Sequence, residues 1–376
     1  MNIVQIVPEM DIGGVEQGTY DLARGLLEKG HRSIVISGGG RFIPKLKKVG
    51  VKHYTLPVDR KSPIVIARMV KKVKNILQKE NIDILHAKSR VPAWIGYFAC
   101  KNLEKVHFIT SFHGFYSPHF LSRIMAKSER VIVVSKILGR YAKEKFKVPE
   151  EKLRLVYNGV EIKVPPPPTS FPSTGWEPFL EGEDLGEGEN RIGIIARLTP
   201  LKGHPFFIEA IAKLRERFPD IKGFIIGPIP EDKIGYKKEL EKLIAKLHLK
   251  NIHFIPPEQK KEIFPTLNLM LSCSIVPEAF GRSIVEAQLA GIPVIATNLG
   301  AVPEIIKDRK TGLLVPPKNS EALAKAITWV FTHQEEWKKM TESAKKIARE
   351  RFSVEQMVNG IINVYQGVRS QHSTKL

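Results

Sequence analysis

The stretch Glu278-Ala-Phe-Gly-Arg-Ser-Ile-Val-Glu286-Ala-Gln-Leu-Ala-Gly291 lies between two apolar runs, Leu269-Met-Leu-Ser-Cys273 and Ile292-Pro-Val-Ile-Ala-Thr297. The runs read as strands and the stretch as a turn followed by a short helix, stopped by Gly291 and Pro293. A loop and helix start at the carboxyl end of a parallel strand is where open α/β sheets bind ligands. Gly281 carries no side chain, so backbone N–H groups can approach a ligand closely there. The helix start adds unpaired N–H groups and a positive dipole end. Glu278 and Glu286, one on either side of the turn, can bind different hydroxyls of one extended polar ligand. Two plainer readings stand beside this: Ser283-Ile-Val-Glu286 fits a capping box, and Glu278 can be a solvated carboxylate.

Working outward, strand-like runs alternate with helical patterns. Ile3–Val7 leads to a Gly13-Gly14 loop and a helix from about Val15 to Lys29. Ser33–Ser37, Ile82–His86, Val106–Ser111 and Arg130–Ser135 follow, with helices between. A proline run, Pro165–Pro168, and an acidic, glycine-bearing stretch, 177–189, then break the rhythm and read as an exposed loop or linker. It restarts with Arg191–Ala196, Gly223–Ile226, Ile252–Ile255, Leu269–Ser272, Val294–Ala296 and Gly312–Val315. This predicts an α/β protein of two doubly wound, Rossmann-like domains with an interdomain cleft. The expected division is 1–162 and 163–353, followed by a final helix, about Val354 to Val368 and extending to about residue 370.

At 376 residues and 43% hydrophobic content, the chain can build two cores. Cys100 and Cys273 lie far apart, which argues against a disulfide framework or a zinc site and for a reducing compartment. Met1-Asn-Ile-Val-Gln-Ile-Val-Pro8 lacks a basic n-region and reads as a strand. No apolar run approaches the ~18 residues of a spanning helix. The net charge is +20, and residues 1–160 hold 29 Lys and Arg against 13 Asp and Glu. The first half therefore faces something anionic: a membrane, a phosphorylated substrate or nucleic acid.

Arg197 and Lys202 sit in Ala196-Arg-Leu-Thr-Pro-Leu-Lys-Gly203, at the end of the first strand of the second half. An Arg and a Lys in such a loop suit a diphosphate, although a pair of solvated cations fits equally. Three features now stand together: the Gly-Gly loop, Arg-x4-Lys-Gly, and Glu-x-Phe-Gly-x4-Glu-Ala-x3-Gly-x-Pro-Val. With Tyr157-Asn-Gly-Val160, they resemble the GT4 family of retaining, nucleotide-sugar-dependent glycosyltransferases with the GT-B fold, over nearly the whole chain.

The resemblance implies roles. Arg197 and Lys202 hold the donor diphosphate, Glu286 the ribose hydroxyls, and Glu278 with the backbone around Phe280, Gly281 and Arg282 the donor sugar. Gly13 and Gly14 lie near the diphosphate. His113, in Thr110-Ser-Phe-His-Gly-Phe115, matches a histidine beside the sugar and counts with Arg197, Lys202 and Glu278 as catalytic; read alone, it is as readily a structural strand-end histidine. The first domain, 1–162, binds the acceptor and the second, 163–353, the nucleotide sugar, and the final helix crosses back to the first domain. Arg282 is basic where many relatives carry an aliphatic residue, and the acidic stretch is not part of the family's core pattern.

Arg197, Lys202 and the helix start can stabilise a leaving diphosphate without a metal, and the sequence has no Asp-x-Asp pair or His/Cys ligand cluster. Retention by front-face attack is what the resemblance favours. For the acceptor, Pro63 to Glu80 forms a basic amphipathic helix. Ile66, Met69, Val70, Val73, Ile76 and Leu77 make the stripe, and Arg68, Lys71, Lys72 and Lys74 lie mostly off it. Such a helix can lie on an anionic membrane or pack its stripe inward with its lysines in water. Arg41, Lys45, Lys47 and Lys48 form a second basic patch. The expected acceptor is lipid-linked or of lipopolysaccharide type, met by a cytoplasmic enzyme peripherally bound to the inner face of the cell membrane. A GT-B-type sugar-nucleotide epimerase shares the architecture. A nucleic-acid-binding protein also accounts for the charge, but no motif supports one.

Overall fold

A computed structural model describes residues 1–161 and 190–373. These divide into two compact units, Met1–Val160 with Arg351–Leu376, and Glu161–Glu350. The expected boundary at 162/163, the proline run and the acidic stretch 177–189 lie outside the described residues.

The first unit holds seven strands: β1 (Asn2–Ile6), β2 (Arg32–Ser37), β3 (Lys52–Thr55), β4 (Ile84–Ala87), β5 (His107–Phe112), β6 (Arg130–Val133) and β7 (Leu153–Leu155). Every pairing is parallel, in the order β3-β2-β1-β4-β5-β6-β7. Parallel neighbours require crossovers, which the intervening helices supply, and strands covered on both faces become continuous Ile/Val runs. Ile3, Val4, Ile6, Ile34, Val35 and Ile36 are accordingly fully buried.

The second unit repeats the scheme with β8 (Asn190–Ile195), β9 (Ile221–Ile226), β10 (Ile252–Ile255), β11 (Leu269–Ser272), β12 (Val294–Thr297) and β13 (Leu313–Val315). Their order is β10-β9-β8-β11-β12-β13, again all parallel. Each sheet therefore has a point where chain order reverses, between β1 and β4 in one and between β8 and β11 in the other.

The terminal helix, Val354–Ser373, packs in the first unit. Met357, Val358, Ile361, Tyr365 and Val368 form a buried face against Ile3, Leu22 and Leu26. The Tyr365 hydroxyl lies 2.7 Å from His86 Nδ1, a bond between this helix and β4. Helix Pro63–Lys79 buries Met69, Val73, Ile76 and Leu77, with Ile66 and Val70 half-buried. Its apolar stripe thus faces the protein, and Arg68, Lys71 and Lys72 are exposed, with Lys74 partly so. No helix among the described residues is long and apolar enough to cross a membrane.

Candidate functional site

Arg197 and Lys202 follow β8, and Glu278 to Glu286 follow β11. They therefore leave the carboxyl ends of the two strands that flank the reversal of the second sheet, the position at which such sheets bind ligands.

Two glycines bring these loops together. Gly203 adopts φ +69°, and a Cβ there meets the Cys273 carbonyl oxygen at 2.0 Å. Only glycine lets the Arg-x4-Lys-Gly loop lie against the end of β11. Gly300, just after β12, has φ +62°, and a Cβ there lies 2.3 Å from the Glu278 carbonyl oxygen. That carbonyl accepts the Ala301 N–H at 2.8 Å, so backbone from the next crossover fixes Glu278.

The result is a pair of charged clusters. Lys202 Nζ lies 2.5 Å from Glu278 Oε1, and the Ser274 hydroxyl donates to the same oxygen. Glu278 keeps 18% of its side-chain surface exposed, so the pair is reachable from solvent. One helix turn away, Glu286 accepts from Lys260 at 2.6 Å and approaches Arg282 Nε at 3.4 Å. Burial alone raises the Glu286 carboxyl, but the Lys260 and Arg282 charges more than offset it and hold the group below its usual range.

The helix between them runs Arg282–Ala290, with Gly281 as its N-cap at φ +106° and no capping side chain. Ser283 is inside the helix, so the capping-box reading of Ser283 and Glu286 does not hold: Glu286 is an ion-pair partner. The Phe280 side chain is buried and anchors the turn. Arg197 is exposed and makes no hydrogen bond or ion pair among the described residues. Lys260 and Gly300 were not legible as site residues, because they enter from other crossovers, and Ser274, in the same loop as Glu278, is a lone serine with no motif around it.

Gly13, Gly14 and His113 belong to the first unit. Gly13 caps helix Gly14–Glu28, where the Glu16 carboxylate folds back over the turn. His113 follows β5 directly. It is half-buried, its Nε2 is enclosed without a partner, and burial, then the Lys88 charge, push it down to about 3. It is a neutral imidazole at pH 7.

Comparison with known proteins matches both halves. Residues 12–164 match the Glycosyltransferase Family 4 model, and residues 179–347 match Glycosyl transferases group 1. A glycosyltransferase crystal structure from Rickettsia africae is 32% identical, covers 98% of each chain and superposes with a TM-score of 0.87. An uncharacterized glycosyltransferase of Methanocaldococcus jannaschii is 27% identical over 96% of this chain and 95% of its own. An Anabaena protein solved with UDP-glucose shares the fold, with 22% identity, a TM-score of 0.80, and coverage of 98% of this chain and 100% of its own. With both halves matched and a 32% identical relative spanning nearly every residue, the chain belongs to the family-4 glycosyltransferases of the GT-B fold.

Proposed function

We propose that this glycosyltransferase moves a hexose-like sugar, with retention, from a nucleoside-diphosphate sugar to an acceptor at an anionic membrane surface. The observation that carries the donor assignment is the Lys202–Glu278 pair beside the uncapped helix start at Gly281, at the reversal of the second sheet. In this reading Arg197 and Lys202 take the diphosphate. Glu278 and the backbone at Phe280, Gly281 and Arg282 take sugar hydroxyls, and Glu286 takes the ribose. The fold neighbour solved with UDP-glucose supports a uridine donor.

The reaction breaks the bond between the anomeric carbon and the diphosphate oxygen and forms one from that carbon to the acceptor oxygen. The acceptor's proton passes to the leaving diphosphate. Negative charge grows on the diphosphate as the bond breaks, and fixed cations stabilise that change without a metal. His113, a neutral imidazole of the first unit, offers a hydrogen bond to the sugar and no charge.

The test is calorimetric titration of UDP, followed by sugar transfer from UDP-glucose in the presence of a chelator. UDP binding with chelator-resistant transfer supports the assignment. Absence of UDP binding removes the uridine donor, and transfer abolished by chelation removes metal independence.

The membrane assignment rests on helix Pro63–Lys79, whose Arg68, Lys71, Lys72 and Lys74 point away from the core. It packs beside helix Arg90–Cys100, which carries a second, apolar surface. Trp94 stacks on Phe98 and donates to the Leu121 carbonyl, while Phe120 is 73% and Leu121 58% exposed. Exposed aromatic and aliphatic side chains near lysines suit a lipid interface, and each cation near an anionic leaflet contributes about 1 kcal/mol, screened by salt. The protein is expected to float with anionic but not neutral liposomes. Reversing Lys71, Lys72 and Lys74 to Glu is expected to reduce flotation while leaving UDP affinity unchanged. Equal binding to neutral and anionic vesicles, or to neither, favours a soluble acceptor.

A further inference from the structure

One residue past the end of β4, the fold encloses a cation. Lys88 is 3% exposed, and among the described residues its ammonium makes no ion pair or hydrogen bond. Its backbone is held firmly, with its N–H donating to the Ile6 carbonyl at 3.2 Å. The position is the reversal of the first sheet, between β1 and β4, which is the ligand-binding position of an open parallel sheet. A buried ammonium with no hydrogen bond or ion pair is costly even in the field of Asp21 and Glu16, so its presence there suits a partner that arrives from outside.

The surroundings narrow what that partner is. Lys88, His113, Ser111 and Asn158, together with His86, Gly18 and five apolar side chains, line a cavity of about 10 Å³, the space of about one water. His113 Nε2 faces no protein partner, and Asn158 carries an amide donor. A cation, an unpaired imidazole nitrogen and an amide around one water-sized space suit a single anionic oxygen. We propose that Lys88, with Asn158 and beside the neutral His113, receives one oxygen of a carboxylate or phosphate carried by the acceptor, and so selects acidic acceptors. The proposal rests on the reading of the first unit as the acceptor-binding half.

Charge around the site sets its pH dependence. Burial brings the Lys88 ammonium down to about 7, against the pull of Asp21 and then Glu16 on helix Gly14–Glu28. Arg90, stacked over the Tyr116 ring, adds a second cation nearby, and the remaining groups are neutral. His113 is held at about 3, His86 on β4 is pushed well below its usual value by burial, and Tyr116 and Tyr365 are pushed up. Lys88 therefore carries its proton below pH ~7 and sheds it above. An incoming anion restores the proton, so anion affinity is full below about 7 and falls roughly tenfold per pH unit above it. For the empty protein the folded value lies below that of the unfolded chain, so this group's contribution to stability rises with pH from about 7 to 10.5.

The full-length chain is titrated calorimetrically with sulfate, which keeps its charge across this range, at pH 6.0 and 8.5, with and without saturating UDP. Sulfate is expected to bind at least ~10-fold more tightly at the lower pH and to persist when UDP is bound. Lys88→Gln is expected to weaken sulfate at least ~10-fold at pH 6.0, abolish the pH dependence and leave UDP affinity unchanged. Lys88→Met is the second variant should the glutamine protein fail to fold. Equal sulfate affinity in wild type and variant overturns the anion site. Sulfate displaced by UDP overturns the acceptor assignment and makes Lys88 a donor-phosphate contact. Failure of the wild type to bind UDP strikes the glycosyl-donor reading instead, and the Lys88 dependence of sulfate binding still decides the anion site.

Discussion

Lys202→Ala and Arg197→Ala are each expected to lower turnover at least ~10-fold with the fold intact. A cation placed where the leaving group gains charge acts most strongly in the transition state, so its loss appears in kcat more than in donor affinity. The two variants differ in an informative way. Lys202 Nζ contacts Glu278 at 2.5 Å and is 28% exposed, so its removal leaves Glu278 to the Ser274 hydroxyl and costs about 1 kcal/mol of stability. Arg197 has no partner to lose among the described residues, so its removal leaves the melting temperature nearly unchanged. A fall in turnover there reports on the ligand alone. Measured kcat, KM and melting curves separate these effects, and near-normal turnover in either variant removes the diphosphate role of that residue.

Glu286→Ala is expected to weaken UDP binding at least ~10-fold, about 1.4 kcal/mol. The structure also gives this carboxylate two protein partners, Lys260 and Arg282, so a stability loss of about 1–3 kcal/mol accompanies the change. The sign of the pH effect follows from the lowered folded value. The ion-pair contribution is present above the ordinary carboxyl value of 4.5 and is lost as pH falls below it. Titration at neutral pH, paired with melting, decides the role. A lower melting temperature with unchanged UDP affinity makes Glu286 a structural ion-pair residue.

Most of the sheet was legible because parallel strands covered on both faces must be apolar throughout. β3 and β7 escaped notice for the opposite reason. They are the outermost strands, only Lys52–Thr55 and Leu153–Leu155, half-exposed and without an apolar run. Short edge strands bearing a cation, Lys52 in β3 and Arg154 in β7, discourage further pairing, and that same device hides them from pattern reading. In the site, Glu278, Glu286 and Lys202 stood out because local motifs carry them. Their partners Lys260 and Gly300 did not, because they acquire meaning only when separate crossovers converge, and Ser274, in the same loop as Glu278, carries no motif of its own. Lys88 was hidden most completely: in His86-Ala-Lys-Ser89 it reads as one more cation in a very basic half, and only burial distinguishes it.

The terminal helix bears on how the chain is made. Ile3, Leu22 and Leu26 leave the ribosome before any of the second unit, yet the face that covers them, Met357 to Val368, is translated after the whole of it. The second unit has all its strands and crossovers in one continuous stretch and can close as soon as that stretch emerges. The first must wait with an apolar sheet face uncovered and His86 lacking its tyrosine. The first unit, begun before the second, is thus finished after it, and during that interval it exposes the apolar face that invites aggregation.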